Sequence, residues 1–364
     1  IINCHLATGK LAKPGCGPFS ITGQPNAMGG REVGGLANQL AAHMDITNSD
    51  HRDTVQTFWQ SPTIAEANGY LAIDMFDKIK SGDIKAVWIM ATNPMVSLPN
   101  RNEIAAALSQ CELVVVSDCV ANNDTLDYAN VKLPATTWLE KNGTVTNSER
   151  RISRQRGIVQ PVGEAKHDWQ IISDVASKMG FSGFDYNHPQ QIFNEHAALS
   201  GFNNNGGRLF DISALANLTV DQYNNLKPVQ WPVNAEYPQG CSNVFANNQF
   251  STATGKANFV AIAPKMPKQQ VNDEFPLILN SGRIRDQWHT MTRTSKASRL
   301  NQHSSKPLLA IHPTDAAQYD LQKDQLVEVD SIVGKVIVGL EITENVRQGE
   351  CFLPIHWNKQ FASN

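Results

Sequence analysis

Residues 113–151 read LVVVSDCVANNDTLDYANVKLPATTWLEKNGTVTNSERR and carry several groups suited to holding a nucleotide. The valine-rich run 113–116 predicts a strand buried on both faces. It stops at Ser117-Asp118. At the carboxyl end of a strand in a parallel α/β sheet, such a polar pair meets the ribose or base of a bound nucleotide. The preceding strand, predicted over residues 85–90, ends in Ala91-Thr92-Asn93-Pro94. Asn93 offers a base or ribose both a donor and an acceptor; the plainer reading is an Asx turn before Pro94. Lys141 is either an ammonium aimed at a phosphate or guanine carbonyl, or a solvated lysine paired with Glu140 or Glu149. Asp168, in GEAKHDW, either accepts the two N–H donors of a guanine or caps the helix that follows.

A second constellation is LNSGRIRDQWHTMTRTS, residues 279–295. A predicted strand ends at Ser281-Gly282, and Arg283, Arg285, Trp288, His289, Thr290, Thr292 and Arg293 follow closely. The glycine permits close backbone approach, and the cations and hydroxyls match pyrophosphate oxygens. An idle surface turn is the alternative, and Trp288 and His289 speak against it. Near the end, LPIHWNKQFASN sets His356, Trp357 and Asn364 on another loop, His356 as either a core histidine or a cofactor contact.

The elements that position these groups follow from periodicity. Helices are expected over 1–8, 31–44, 64–80, 102–110 and 169–178, with strands over 85–90, 113–116 and 131–134. The alternation argues a doubly wound, mostly parallel sheet with crossover helices. The Asn142-Gly143 pair predicts a tight hairpin turn. Residues 181–272 are rich in Asn, Gln and Pro and read as a connecting region, with short helices over 189–199 and 211–225. From residue 275 the strands are short and closely spaced, over 275–280, 308–312, 326–330, 335–342 and 350–354, with one helical stretch over 313–319. That spacing suggests a β-barrel. The expected division is therefore 1–180, an α/β dinucleotide-binding domain; 181–272, a connection; and 273–364, a barrel.

Composition narrows the function classes. The chain has 364 residues, 41% hydrophobic, with a net charge of −3, so no basic excess points to nucleic acid. No apolar run reaches membrane-spanning length, and the first residues lack the plan of a secretory signal. The six cysteines, Cys4, Cys16, Cys111, Cys119, Cys241 and Cys351, form no CxxC pair, so no metal ligand is assigned among them. They read as mostly reduced thiols of an intracellular protein, and the expected location is cytoplasmic. A GxGxxG fingerprint is absent, which argues against the usual NAD site. The chain opens on Ile1 rather than Met, as a fragment or processed form would.

The phrases GPFSITGQPNAMGGREVG, TNPMVSLPN, VVVSD, LPATTWLEKNGTVTNSERR, GEAKHDW and SGRIRDQWHTMTRTS, in this order, resemble the molybdopterin oxidoreductase family. The likeness is nearest its assimilatory nitrate-reducing branch, to whose carboxyl-terminal part nearly the whole chain is similar. The resemblance implies a molybdenum atom between two molybdopterin guanine dinucleotides. It implies that Asn93, Ser117, Asp118, Lys141 and Asp168 contact one dinucleotide in a shared crevice. It implies that Ser281, Gly282, Arg283, Arg285, Trp288, His289 and Thr290 contact phosphate and pterin, with His356 and Asn364 near. The carboxyl-terminal domain is then expected to be a double-psi-like dinucleotide-binding barrel. The loop 23–35, with Met28 and Arg31, would line the route of the nitrate anion. The family's amino-terminal iron–sulfur cysteines and its molybdenum-ligating cysteine have no counterpart in this chain. The expected parent activity is two-electron reduction of nitrate to nitrite, with an electron-donor protein or domain as partner, and the isolated chain is expected to be inactive. A formate dehydrogenase-like member and a cofactor-free scaffold of the same family are the rival readings.

Overall fold

In the computed structural model, which describes residues 1–358 of 364, the chain passes three times between two units. One comprises Ile1–Ala72 and Pro134–Ala263; the other comprises Ile73–Leu133 and the segment from Pro264 onward.

The first unit opens with α1 (Ile2–Ala7), α2 (Ala27–Glu32) and α3 (Ser49–Trp59). The helix expected over 31–44 is not formed, and α2 ends at Glu32. Gly34 at φ +76, and Ala42 and His43 at φ 57, are left-handed and break any helical run. The apolar spacing that suggested a helix is only half used: Leu40 and Met44 are buried, while Val33 and Leu36 are exposed. Helix α3 had no strong apolar period to announce it. Its start is fixed by Asn48, whose Oδ1 accepts the N–H groups of Asp50 (2.9 Å) and His51 (3.2 Å).

The chain then enters the second unit with α4 (Ala72–Lys80), β1 (Ala86–Met90), α5 (Pro94–Ser97), α6 (Arg101–Gln110), β2 (Leu113–Asp118) and β3 (Val131–Pro134). Helix α4 begins well after residue 64, because the stretch before it makes non-helical bonds such as Gly69 N–H to the Ala37 carbonyl (2.8 Å). Strands β1 and β2 are parallel, with Val87 opposite Val114 and Ile89 opposite Val116. These four side chains share one sheet face and are buried with Phe76, Ile79, Ile104 and Leu108 from α4 and α6. Each such side chain contributes about 1.5–3 kcal/mol by leaving water. Burial of β2 is one-sided rather than complete: Val114 and Val116 are sealed, whereas Leu113 is exposed.

Back in the first unit come β4 (Gly143–Thr146), β5 (Arg151–Gln155), α7 (Asp168–Lys178), α8 (Pro189–Gly201), α9 (Val220–Asn224) and β6 (Val229–Gln230). Within 211–225 only the short α9 and a single 3₁₀ turn, Ser213–Leu215, form. Strands β4 and β5 make the expected hairpin, but not at the expected turn. Gly143 lies inside β4, opposite Gln155. The turn is residues 147–150, built by Asn147, whose Oδ1 accepts from Glu149 (3.1 Å) and Arg151 (3.0 Å) N–H groups. The core of this unit gathers Leu40, Met44, Val55, Ile152, Phe193, Phe210, Tyr223 and Trp231.

The second unit is completed by β7 (Ile278–Gly282), β8 (Leu308–Ile311), α10 (Pro313–Gln318), β9 (Leu326–Ser331), β10 (Gly334–Ile342) and β11 (Glu350–Pro354). They form a mixed five-stranded sheet in the order β7-β11-β8-β10-β9, curled into a half-barrel over Leu309, Ile311, Val327, Val338 and Leu340. Strand β7 starts later than residue 275 and runs through Ser281-Gly282. Among the described residues no helix is long and apolar enough to cross a membrane.

Candidate functional site

In the second unit, the polar ends of β1 and β2 are tied together by buried side chains. Asn93 is 6% exposed and follows β1; its Oδ1 accepts the Thr125 hydroxyl at 2.7 Å. This is not the Asx turn of the plain reading, since no side-chain cap bond forms there. Ser117 is fully buried, and its hydroxyl accepts the Trp88 indole N–H at 2.8 Å. Asp118 folds into a turn of its own: Oδ1 accepts Cys119 N–H (2.6 Å) and Val120 N–H (3.3 Å), and Oδ2 accepts Asn123 Nδ2 (2.8 Å). The residues that organise this strand end, Asn123, Asp124 and Thr125, are all buried. Sequence reasoning passed over them. Their signal was the polar run at residues 122–125, a few residues after the strand terminus at Asp118.

The turn after β7 lies in the same unit. Arg283 is exposed and stands 5.6 Å from the Trp288 ring centroid; among the described residues it has no carboxylate partner. Arg285 differs, because it is paired with Asp286, which also holds His303 at 2.7 Å. That pairing lowers the Asp286 carboxyl below its ordinary range, Arg285 being the larger cause. The turn is braced by Gln287, buried between Asn301 (2.8 Å) and the Thr294 hydroxyl (2.6 Å). His289 (φ 47) and Met291 (φ 59) are left-handed, an unfavourable backbone state for side chains of this kind. Thr290 shares its hydroxyl with Thr292 at 2.7 Å. Shortly beyond, Arg293 donates to the Cys119 sulfur at 2.9 Å. The loop that follows β7 therefore touches the residue next to Asp118. A second link joins Asn358 Nδ2 to the buried Asp124 at 3.3 Å.

His356 is the anchor of the turn. It is fully buried; its Nε2 accepts Ile284 N–H at 3.0 Å, and its Nδ1 faces the His289 carbonyl at 2.6 Å. This pattern requires the neutral tautomer with the proton on Nδ1. Burial lowers its pKa, in keeping with that state. Both ring nitrogens are occupied by backbone partners, Ile284 N–H and the His289 carbonyl. Asn364 lies outside the described residues.

The first unit carries the other group. Lys141 Nζ pairs with Asp168, both about 30% exposed, and not with Glu140 or Glu149. Asp168 is not the cap of α7; that place is taken by His167, whose N–H donates to Gln170 Oε1 at 3.2 Å. Asp168 sits in the first turn, where the helix dipole favours a carboxylate. Burial, then the charge of Lys141, lowers the His167 pKa.

The Gly-rich loop is built around α2. Met28 packs against the core, and Arg31 is exposed with no ion pair among the described residues. Glu32 is buried, its Oε2 accepting the Thr146 hydroxyl (2.7 Å) and its Oε1 the Trp231 indole N–H (2.6 Å). Desolvation raises its pKa to about 7, only partly offset by those two hydrogen bonds. Nearby, His43 packs on Phe210 (5.1 Å) and Trp231 (5.7 Å). Burial, and then the Arg31 charge, lowers its pKa. His43 also lines a polar cavity of about 240 Å³ with Gln39, Asp45, Thr47 and Asn68. Arg31 therefore acts electrostatically on a group that faces an open polar space.

The sequence matches the family described as Molybdopterin oxidoreductase over residues 1–178, and the Molydopterin dinucleotide binding domain over residues 277–364. A nitrate reductase of Klebsiella oxytoca is 49% identical over all of this chain and 41% of its own length. A nitrate reductase of Shewanella frigidimarina is 42% identical, again over the whole chain and 41% of its own length. The chain thus spans less than half the length of these two relatives. Among solved structures, acetylene hydratase from Pelobacter acetylenicus superposes with a TM-score of 0.59 at 18% identity, covering 77% of this chain and 38% of that one; at that identity the likeness concerns the fold.

Proposed function

The chain belongs to the molybdopterin oxidoreductase family, and from that premise we propose that it is the cofactor-holding and funnel-lining part of an assimilatory, cytoplasmic molybdenum nitrate reductase. The observation that carries this reading is the Arg293–Cys119 contact, which brings the strand end of Asp118 to the loop after β7 within one unit. The names of the relatives supply the substrate.

The donor set fits a dinucleotide. Arg283 has no carboxylate partner among the described residues and suits a phosphate, while Arg285 acts through Asp286 to stiffen the turn. Gly282, His289 and Thr290 bring backbone and hydroxyl groups to the same turn, and Ser281 and Trp288 flank them. Asn93, Ser117 and Asp118 hold the strand ends to which the ribose and base would be offered. In the other unit, Lys141 and Asp168 present a charged pair suited to guanine, which has a carbonyl acceptor and N–H donors in one plane. We assign the proposed domains as 1–180, 181–272 and 273–364, with the last completing a double-psi-like barrel in the parent; the matches over 1–178 and 277–364 support the outer two.

When bound, the molybdenum centre of a bis(molybdopterin guanine dinucleotide) supplies two-electron oxo transfer from nitrate. This chain's residues bind and orient. Arg31 meets the anion electrostatically, and the buried shell of Glu32, Trp231 and Phe210 excludes water from beneath it. The parent would hold the iron–sulfur cluster and receive electrons from a donor protein or domain. A purified parent protein should contain molybdenum and guanine and form nitrite from nitrate with a reduced dye. It should leave formate unoxidised, and the isolated chain should form no nitrite. Formate oxidation without nitrite would move the assignment to the formate branch, and a parent without molybdenum or guanine would make it a scaffold.

A further inference from the structure

Helix α2 has six residues, far too few to be stable on local hydrogen bonds. Its position must come from tertiary ties, and one residue supplies a tie at each end. Thr146 N–H donates to Asn26 Oδ1 at 2.9 Å, where Asn26 is the residue that starts the helix. The Thr146 hydroxyl donates to Glu32 Oε2 at 2.7 Å, where Glu32 is the residue that ends it. The other carboxyl oxygen of Glu32 is fixed by Trp231 Nε1 at 2.6 Å, and the Glu32 carbonyl accepts Ala42 N–H at 2.7 Å. Gly29 leaves room for this arrangement, since a Cβ there would collide with the Asn26 side-chain oxygen. The residue between the glycines and Glu32 is Arg31, exposed and free of ion pairs among the described residues.

We propose that Thr146 and Glu32 are positioning residues for the Arg31 guanidinium: by gripping both ends of α2 they fix where the cation that receives the anionic substrate stands. The inference rests on the reading of Arg31 as the funnel cation. It also gives a physical reason for the pairing of two motifs far apart in sequence, NAMGGREVG and NGTVTNS. The groups around the Glu32 carboxyl are Thr146 and Trp231; the charges close to that shell are Arg150, whose guanidinium lies 5.2 Å from the Trp231 ring centroid, and the neutral-leaning His43.

The test is a double-mutant cycle in the full-length parent enzyme, with Thr146→Val, Glu32→Gln, Arg31→Gln and the Thr146→Val/Arg31→Gln pair. Thr146→Val keeps shape and the backbone N–H but removes the hydroxyl. It should raise the nitrate KM about fivefold, the scale of one lost hydrogen bond. The kcat at saturating nitrate should stay within about twofold, because the interaction is lost from ground-state and transition-state binding alike. Molybdenum content should be unchanged. Thr146→Ser should restore the KM, and Glu32→Gln should retain most of it, since the amide can still accept from Trp231 and donate to Thr146. Added to Arg31→Gln, the Thr146 change should raise the KM no further; a merely structural role would make the two effects add. An unchanged KM in Thr146→Val, or additive losses in the pair, overturns the proposal. A parent that forms no nitrite defeats the functional reading before any variant is made. One that forms nitrite with a KM indifferent to Arg31→Gln defeats the positioning role alone.

Discussion

His356 and His289 are joined ring to backbone: the Nδ1 of the buried imidazole lies 2.6 Å from the His289 carbonyl oxygen. With Nε2 taking the Ile284 N–H, one side chain from the loop after β11 spans the whole turn that carries Arg283 and Trp288. The turn's left-handed His289 is thereby held from outside the turn itself.

Replacing His356 by Leu should loosen that turn before it unfolds anything else. The Ile284 N–H and the His289 carbonyl would lose their partners, a penalty of about 1–3 kcal/mol for each group left buried and unsatisfied. Hydrogen exchange should show the Ile284 amide losing protection in the variant while the amides of β8 and β10 keep theirs. Equal protection at Ile284 would show that the turn holds its shape without the imidazole.

Asp168→Ala should lower cofactor retention in the full-length parent roughly tenfold or more, the scale of a lost charge-assisted hydrogen bond. The exposed Asp185 provides the control: Asp185→Ala should leave molybdenum and guanine content at the wild-type level. Identical content in the Asp168 variant would return the Lys141–Asp168 pair to a purely local role.

Glu32 makes stability depend on pH in a direction unusual for a carboxylate. Its pKa is raised from 4.5 to about 7, so between those values the folded state holds a proton that the unfolded chain has released. Stability from this group is therefore complete below pH 4.5 and falls as pH rises toward 7, by a few kcal/mol on the order of 1.4 per unit. Glu32→Gln cannot titrate. The melting-temperature difference, wild type minus variant, should fall as pH goes from 4.5 to 8. A flat difference would mean that the carboxyl ionises normally. His196 acts with the opposite sign, because burial, and then His43, lowers its pKa to about 4. Its contribution is present above pH 6.5 and lost as pH falls through 4.

Gly34→Ala should be costlier than Gly9→Ala in the same unit. Both glycines have positive φ, so each alanine carries the left-handed penalty of about 1–2 kcal/mol. Only at Gly34 would the new Cβ also strike backbone, 2.6 Å from the Leu40 carbonyl carbon and 2.7 Å from Ala41 N. Urea unfolding of the two variants should separate them clearly; equal midpoints would mean that the 40–41 backbone gives way freely.

What the sequence disclosed follows from where its physics is local. Strands β1, β2, β8, β9, β10 and β11 were legible because short apolar runs bounded by turns, valine-rich in β2, have few alternatives. The false helix over 31–44 had a helical apolar spacing, yet the ties of α2 to Thr146 and Trp231 come from distant sequence and override it. The hairpin was foreseen but its turn misplaced, since Asn147 competes with Asn142-Gly143 and wins through two side-chain bonds. At the candidate site, the charged and aromatic residues were visible by type. Asn123, Thr125 and Glu32 were not, because a buried polar residue is recognisable only once its partners are known.

The second unit is discontinuous: its first part ends at Leu133 and its next begins at Pro264. During synthesis, at roughly 5–20 residues per second, the β1–β2–β3 segment waits many seconds for the strands that complete its unit. Through that interval Asp124 has Arg101 beside it but lacks Asn358, and Cys119 lacks Arg293. The strand ends proposed to hold the dinucleotide are thus completed only after the segment from Pro264 onward has emerged. A chain stalled before Pro264 would carry the β1–β2 pair with the contacts of Cys119 and Asp124 to the later segment still unmade.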